Sequence, residues 1–435
     1  MFLKKIFDGK SKFFIYMLTA QGLFMLSNLF INYKIEKIWS VEGFATYNLL
    51  KRLGSFIVFP LILGVGIGIP RYISFLKKGK DDSSKALEYL VAGLIIFLIT
   101  FGGFLLLLLF FPAVILSSFK QIGSESILLI VALFIFSQGV FVILSSFYRG
   151  KIQFGNSSLL NVLVLSFLPT VIIFFSDNIF DYFLYYAVLT ICSLLLIIVF
   201  NLYKCSISYK RTQFKIKQLI HYGAPRVVAD AILFSLDFIP IYVVSVFISL
   251  EESGYLSLSF MFFKLASVSF DLIGSLILPL YGKGFKTESS AVFIQKVNRL
   301  LLISGCLAVL ASVFGYIFIP YLVATFFGSL SPAIVASQYI FIAFPFYVVF
   351  TILKNVLDII SSKAYNSLIQ IIGFVAMTLT LFYGIYQKEW FYYRTLTIII
   401  PYFVLGVLTY LVWNKLKHRM VQNPIESQSA ASAKD

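Results

Sequence analysis

The stretch Val41-Glu42-Gly43-Phe44-Ala45-Thr46-Tyr47 opens an apolar run that closes at Ile69-Pro70-Arg71-Tyr72, with Lys51 and Arg52 inside it. Roughly 20 apolar residues cross the hydrocarbon layer of a bilayer, so residues 42–70 read as a membrane span. At about 1.5 Å per residue, Lys51 and Arg52 lie about 14 Å inside it. A charge near a span centre costs about 2.5–3.5 kcal/mol and calls for a partner or a wet cavity. No acidic residue of this run sits at that depth. Consecutive positions diverge by about 100° on a helix, so at least one of the two cations should face a cavity. An unpaired cation there suits a pyrophosphate or an acidic sugar. Lys51 and Arg52 are therefore candidate substrate contacts, against the plainer reading of a structural pair.

Runs of the same kind fill the chain. Polar breaks place spans near 13–33, 42–70, 86–110, 126–148, 156–176, 182–203, 224–249, 254–281, 298–319, 333–356, 366–386 and 394–415. Hydrophobic residues make up 60% of the 435 and charged residues only 12%, where a soluble protein carries about 25%. An all-α polytopic membrane protein of about 12 helices follows. The net charge of +16 is explained by where the cations sit. With both termini cytoplasmic, about 25 of the 35 Lys and Arg fall on the cytoplasmic side and about five on the other. This sets the orientation expected in a bacterial inner membrane, and it removes nucleic acid as the reason for the charge. The basic N-terminus lacks a small-residue cleavage pattern and reads as leading into a first span.

The longest inward break splits the chain six plus six. The expected organisation is a first lobe at 1–203, a cytoplasmic linker at 204–221, a second lobe at 222–416 and a disordered tail at 417–435. The halves share a faint repeat. Glu42-Gly43-Phe44-Ala45-Thr46-Tyr47, Lys51 and Ile69-Pro70 correspond to Glu252-Ser253-Gly254-Tyr255-Leu256-Ser257, Lys264 and Leu278-Pro279. Both segments start outside and end inside, so the halves are parallel repeats, and such symmetry places a cavity between them.

Leu219-Ile220-His221-Tyr222-Gly223-Ala224-Pro225 resembles the entry to the seventh span of polysaccharide flippases. Glu252 to Ser257 resembles the turn before their eighth, and Gly43 to Tyr47 with Pro70-Arg71 their second. The chain is thus similar, over nearly its whole length, to the O-antigen or capsule-repeat flippases of the multidrug/oligosaccharidyl-lipid/polysaccharide exporter superfamily. The resemblance implies two pseudo-symmetric six-helix lobes around a central V-shaped cavity, with alternating access. It implies a cargo, undecaprenyl-pyrophosphate-linked oligosaccharide, carried from the cytoplasmic to the periplasmic leaflet among membrane lipids. A polysaccharide polymerase and a chain-length regulator are the implied partners.

The seventh and eighth spans carry the remaining embedded charges. Asp237 and Lys264 lie at nearly equal depth on helices joined by a tight turn, and they could pair. Arg226, Asp230 and Asp237 share one helical face, and so do Lys264 and Asp271. Two readings stand: the wall of a cavity, or an ion pair that fixes packing. Lys264 and Arg226 join Lys51 and Arg52 as candidate cavity residues, with snorkelling the competing account of Arg226. Asp230, Asp237 and Asp271 are candidate sites for a coupling H+ or Na+, since no phosphate-binding loop is present to use a nucleotide. No other cofactor is expected. Cys192, Cys205 and Cys306 have no metal-binding spacing, and His221 and His418 are the only histidines. A cation or drug antiporter of the same superfamily calls for a more acidic cavity. A membrane polymerase calls for a large outward loop, which is missing. A transporter, not an enzyme, is the expectation.

Overall fold

The computed structural model describes residues 11–74, 76, 82–112, 126–203, 208–287, 289–360, 365–387 and 390–422. Among them there is helix and no strand. Each of the twelve expected spans falls on helical chain. In order the helices are α1 (Ser11–Leu61), α2 (Val65–Ser74), α3 (Asp82–Phe110), α4 (Ser126–Gly150), α5 (Phe154–Ile172), α6 (Ile179–Leu202), α7 (Tyr209–Phe247) and α8 (Leu250–Thr287). After them come α9 (Ser290–Phe326), α10 (Gly328–Ile360), α11 (Tyr365–Tyr386) and α12 (Trp390–Gln422).

The first two expected spans are two helical legs joined by a sharp turn. The two legs of α1 meet at Trp39 and Ser40, where the backbone leaves helical geometry and Ser40 takes φ 66°. Its second leg breaks again at Leu63 (φ 46°) and Gly64 (φ 70°), bending by 56° into α2. Glycine carries no Cβ to obstruct that left-handed geometry. The stretch from Gly64 to Gly68 holds three glycines and supplies both the bend and a close contact, Gly64 lying against Gly223.

Eight helices of the described residues are by themselves long and apolar enough to cross a membrane, and the bent pair of α1 and α2 supplies a ninth. α7 and α8 have 39 and 38 residues, about 57 Å each, but are interrupted by charge. Leu98, Ile99, Leu106, Leu107 and Leu109 of α3 and Leu302, Val309, Leu310 and Phe314 of α9 lie exposed on the outer faces. Apolar surfaces of this extent suit contact with lipid. The chain is an all-helical, multi-pass membrane protein.

Two compact units divide it, Met1–Phe234 and Ser235–Asp435. The division falls inside α7, so residues 204–221 belong with the first unit. Most of that expected linker is helix, because Thr212, Lys215, Leu219 and Gly223 recur at helical spacing and are buried. α12 likewise continues through Gln422, past the expected start of the tail, and residues 423–435 lie outside the described set.

In the first unit α4 is central. Its Phe134, Ile135, Ile143, Leu144 and Phe147 are buried against α1, α2, α3 and α6. In the second unit the core is α10 between α8 and α12, with Phe344, Phe350, Leu353, Val356 and Trp413 buried. Small residues allow these helices to approach. A methyl group on Gly406 would stand 2.6 Å from the Phe346 carbonyl oxygen.

Candidate functional site

The embedded charges of each unit form a separate cluster. In the first, the turn at Trp39–Ser40 lays the two legs of α1 side by side. Asn28 and Lys51 each stand about 16 Å from it. Lys51 Nζ donates to Asn28 Oδ1 at 2.9 Å and lies 5.5 Å from the centre of the Tyr47 ring. Asn32 Nδ2 donates to the same Asn28 Oδ1 at 3.1 Å and to the Asn28 carbonyl at 2.7 Å. Asn48 Nδ2 donates to Asn32 Oδ1 at 3.2 Å. Asn32 and Asn48 are buried, while Lys51 and Arg52 are half-buried. Among the described residues no carboxylate lies within ion-pairing distance of Lys51.

The neighbouring elements fix this cluster. Ser27 Oγ donates to the Ser166 carbonyl at 3.0 Å and lies 2.6 Å from Thr170 Oγ1. Ser166 belongs to a π-helical turn at Leu163–Phe167 within α5, a geometry that displaces one carbonyl from the regular ladder. Tyr47 packs its ring against Tyr182 and Phe183 of α6, at 5.7 and 5.6 Å between centres.

The cluster in the second unit is ionic and aromatic. Lys264 Nζ of α8 is 2.7 Å from Asp237 Oδ2 of α7, so the pair that the sequence allowed is formed. Tyr402 donates to Asp237 Oδ1 at 3.1 Å. Tyr347 donates to Asp271 Oδ1 at 2.6 Å, and Ser267 to Asp271 Oδ2 at 3.1 Å. Lys264 Nζ also lies 5.7 Å from the centre of the Tyr347 ring. Tyr347, Tyr402 and Phe263 pack at 5.1–5.3 Å. Two carboxylates and one ammonium thus share an aromatic cage. The side chains of Arg226 and Asp230 lie outside the described set. No group of three or more His, Cys, Asp and Glu able to hold a metal occurs among the described residues.

Two further charged clusters were not legible as such in the sequence. Glu88 of α3 is fully buried and meets Lys215, and Arg211 Nε at 3.2 Å, both from the start of α7. Lys215 also donates to the Lys85 carbonyl at 2.9 Å and lies 4.7 Å from the Tyr89 ring centre. Arg394, the first residue of the last expected span, is buried in the second unit. It donates to Glu252 Oε2 at 3.1 Å and to the Pro332 carbonyl at 2.7 Å. Lys354 and Asp358, one helical turn apart on α10, are bridged by Asn366, whose Nδ2 reaches Asp358 Oδ1 at 2.7 Å and the Lys354 carbonyl at 2.9 Å.

Each unit of this helical membrane protein thus holds a half-buried lysine within its spans. Solved structures agree on the fold. An inward-facing multidrug resistance MATE family transporter of the MOP superfamily superposes with a TM-score of 0.74 at 13% identity, covering 94% of this chain and 99% of that one. The lipid II flippase MurJ, in an inward closed conformation, gives 0.68 at 14% identity over 92% of this chain and 87% of that one. A MOP superfamily transporter from Pyrococcus furiosus, described as having a binding pocket of reverse polarity, gives 0.67 at 14% identity over 94% and 95%. No protein-family model matches the sequence, and no curated protein is similar to it. The chain has the fold these transporters and this flippase share.

Proposed function

We propose that this protein flips an undecaprenyl-pyrophosphate-linked oligosaccharide from the cytoplasmic to the periplasmic leaflet of a bacterial inner membrane, by alternating access. The observation that carries the reading is Lys51: an ammonium within a membrane span, held by the neutral Asn28 and with no carboxylate partner among the described residues. A cation in that setting recruits an anion, and the pyrophosphate of a lipid carrier supplies one at membrane depth. The fold shared with a lipid II flippase supports a lipid-linked cargo. Asp237 and Asp271, in the aromatic cage of the second unit, are the described candidates for the coupling ion, H+ or Na+.

The test is flipping in proteoliposomes. A fluorescent polyprenyl-pyrophosphate oligosaccharide in the inner leaflet should become accessible to an impermeant quencher, faster with an ion gradient. A phospholipid with the same fluorophore should not. Efflux of a cationic dye with no movement of the pyrophosphate lipid would overturn the reading in favour of a drug antiporter.

A further inference from the structure

Two lysines stand in corresponding places of the two units. Each lies on the second leg of a helical hairpin and reaches across to the first leg. Lys51 meets Asn28 Oδ1 at 2.9 Å, and Lys264 meets Asp237 Oδ2 at 2.7 Å. Each ammonium also lies over a tyrosine ring, Tyr47 at 5.5 Å and Tyr347 at 5.7 Å. The sequence repeat pairs the same lysines: Lys51 and Lys264 follow the aligned Gly43 and Gly254, and Asn28 and Asp237 precede them at similar spacing. The reach of the lysine to the first leg is shared, the tyrosine comes from the lysine's own leg in one unit and from α10 in the other, and the charge of the partner differs. In the second unit the lysine is neutralised by a carboxylate. In the first, its partner is an amide of nearly the same shape.

The amide is also held in one orientation. Asn28 Oδ1 accepts from both Lys51 Nζ and Asn32 Nδ2, and Asn32 is fixed in turn by Asn48. Turning the Asn28 amide over would set its NH2 against an ammonium and a second NH2, which have no lone pair to offer. The three asparagines therefore act as one support that presents an acceptor to Lys51.

We infer that Asn28 is the specificity-determining partner of Lys51. As a neutral acceptor, buttressed by Asn32 and Asn48, it positions the ammonium without cancelling its charge and leaves that charge to a phosphate or pyrophosphate group of an amphiphilic ligand. The inference rests on the reading of Lys51 as an anion contact and adds the reason that this lysine, and not Lys264, fills the role. Asn28→Asp would copy the arrangement of the second unit into the first.

The experiment measures binding of farnesyl diphosphate, with farnesol as the uncharged control, to the full-length protein in lipid nanodiscs. Lys51→Gln should weaken diphosphate binding about tenfold or more, corresponding to about 1.4 kcal/mol. Asn28→Asp should weaken it about as much, with farnesol binding and the melting temperature held, since the acceptor is kept and only charge is added. Asn28→Leu, which removes the acceptor and stays neutral, should weaken it less than Asn28→Asp. Equal losses in Asn28→Leu and Asn28→Asp would make Asn28 merely structural and overturn the inference. So would diphosphate binding that survives Asn28→Asp but is lost in Lys51→Gln, a result that leaves the flippase reading intact. Unchanged binding in Lys51→Gln would overturn that reading itself.

Discussion

The Lys264 ammonium lies 2.7 Å from Asp237 Oδ2, and the Tyr402 hydroxyl donates to the other oxygen of that carboxylate. Removing one partner of a buried ion pair strands the other charge, at a cost of about 3–5 kcal/mol when burial is complete. Lys264 is 37% exposed, so Asp237→Leu should cost less, about 1–3 kcal/mol. Thermal melts in detergent should show the loss, and Asp237→Leu with Lys264→Met should recover most of it. A double variant no more stable than Asp237→Leu alone would contradict the pairing.

Tyr347 joins the two carboxylates of that cage, since its ring carries Lys264 and its hydroxyl donates to Asp271 at 2.6 Å. Tyr347→Phe keeps the ring and removes the donor. On the proposed flippase function, with Asp271 serving the coupling ion, gradient-driven flipping should slow by about tenfold, a barrier change of about 1.4 kcal/mol, while affinity for the lipid pyrophosphate holds. Loss of affinity with normal ion dependence would place Tyr347 at the cargo instead.

Glu88 is fully buried beside Lys215 and Arg211. Glu88→Gln leaves both cations facing a neutral amide and should cost about 3 kcal/mol in unfolding measurements at pH 7. Burial pushes the Lys215 ammonium below its ordinary value of 10.5, and Glu88 acts against that shift. Without Glu88 the depression deepens. The unfolded chain then binds more protons than the folded one between the lowered value and 10.5, so stability rises with pH across that window. The deficit of Glu88→Gln should therefore shrink as the pH is raised toward 10.5, and a deficit that grew would refute the assignment.

Gly64 and Gly223 bring the break between α1 and α2 against α7. A methyl group on Gly64 would stand 2.6 Å from Gly223 Cα, and one on Gly223 would strike the Leu63 carbonyl. Gly223→Ala should destabilise by about 1–3 kcal/mol, as overpacking does when the obstacle is backbone. Gly64→Ala adds the strain of φ 70° to the same clash and should cost more. Melting temperatures of the two variants in one detergent test that order.

The embedded charges show how far a sequence reaches. Lys51, Asp237, Lys264 and Asp271 stand out because a charge within an apolar run is costly, and depth alone paired Asp237 with Lys264. Tyr347 and Tyr402 carried no such signal among 26 tyrosines. Arg394 carries no such signal, because it stands at the very start of an expected span, yet it is buried on Glu252 and the Pro332 carbonyl. The stretch at 204–221 reads as a linker because it is the longest inward break between spans, while Glu88, some 130 residues earlier, draws two of its cations into a packed helix.

Hydrophobic length and charge placement by themselves determined the helical spans and which of them carry ions, because the cost of putting charge into hydrocarbon is paid residue by residue along a single helix. The identity of each partner was left to the tertiary structure. Whether Lys51 meets an asparagine and Lys264 an aspartate depends on where each hairpin turns and on which face the returning helix presents, and those follow from packing between segments distant in the chain.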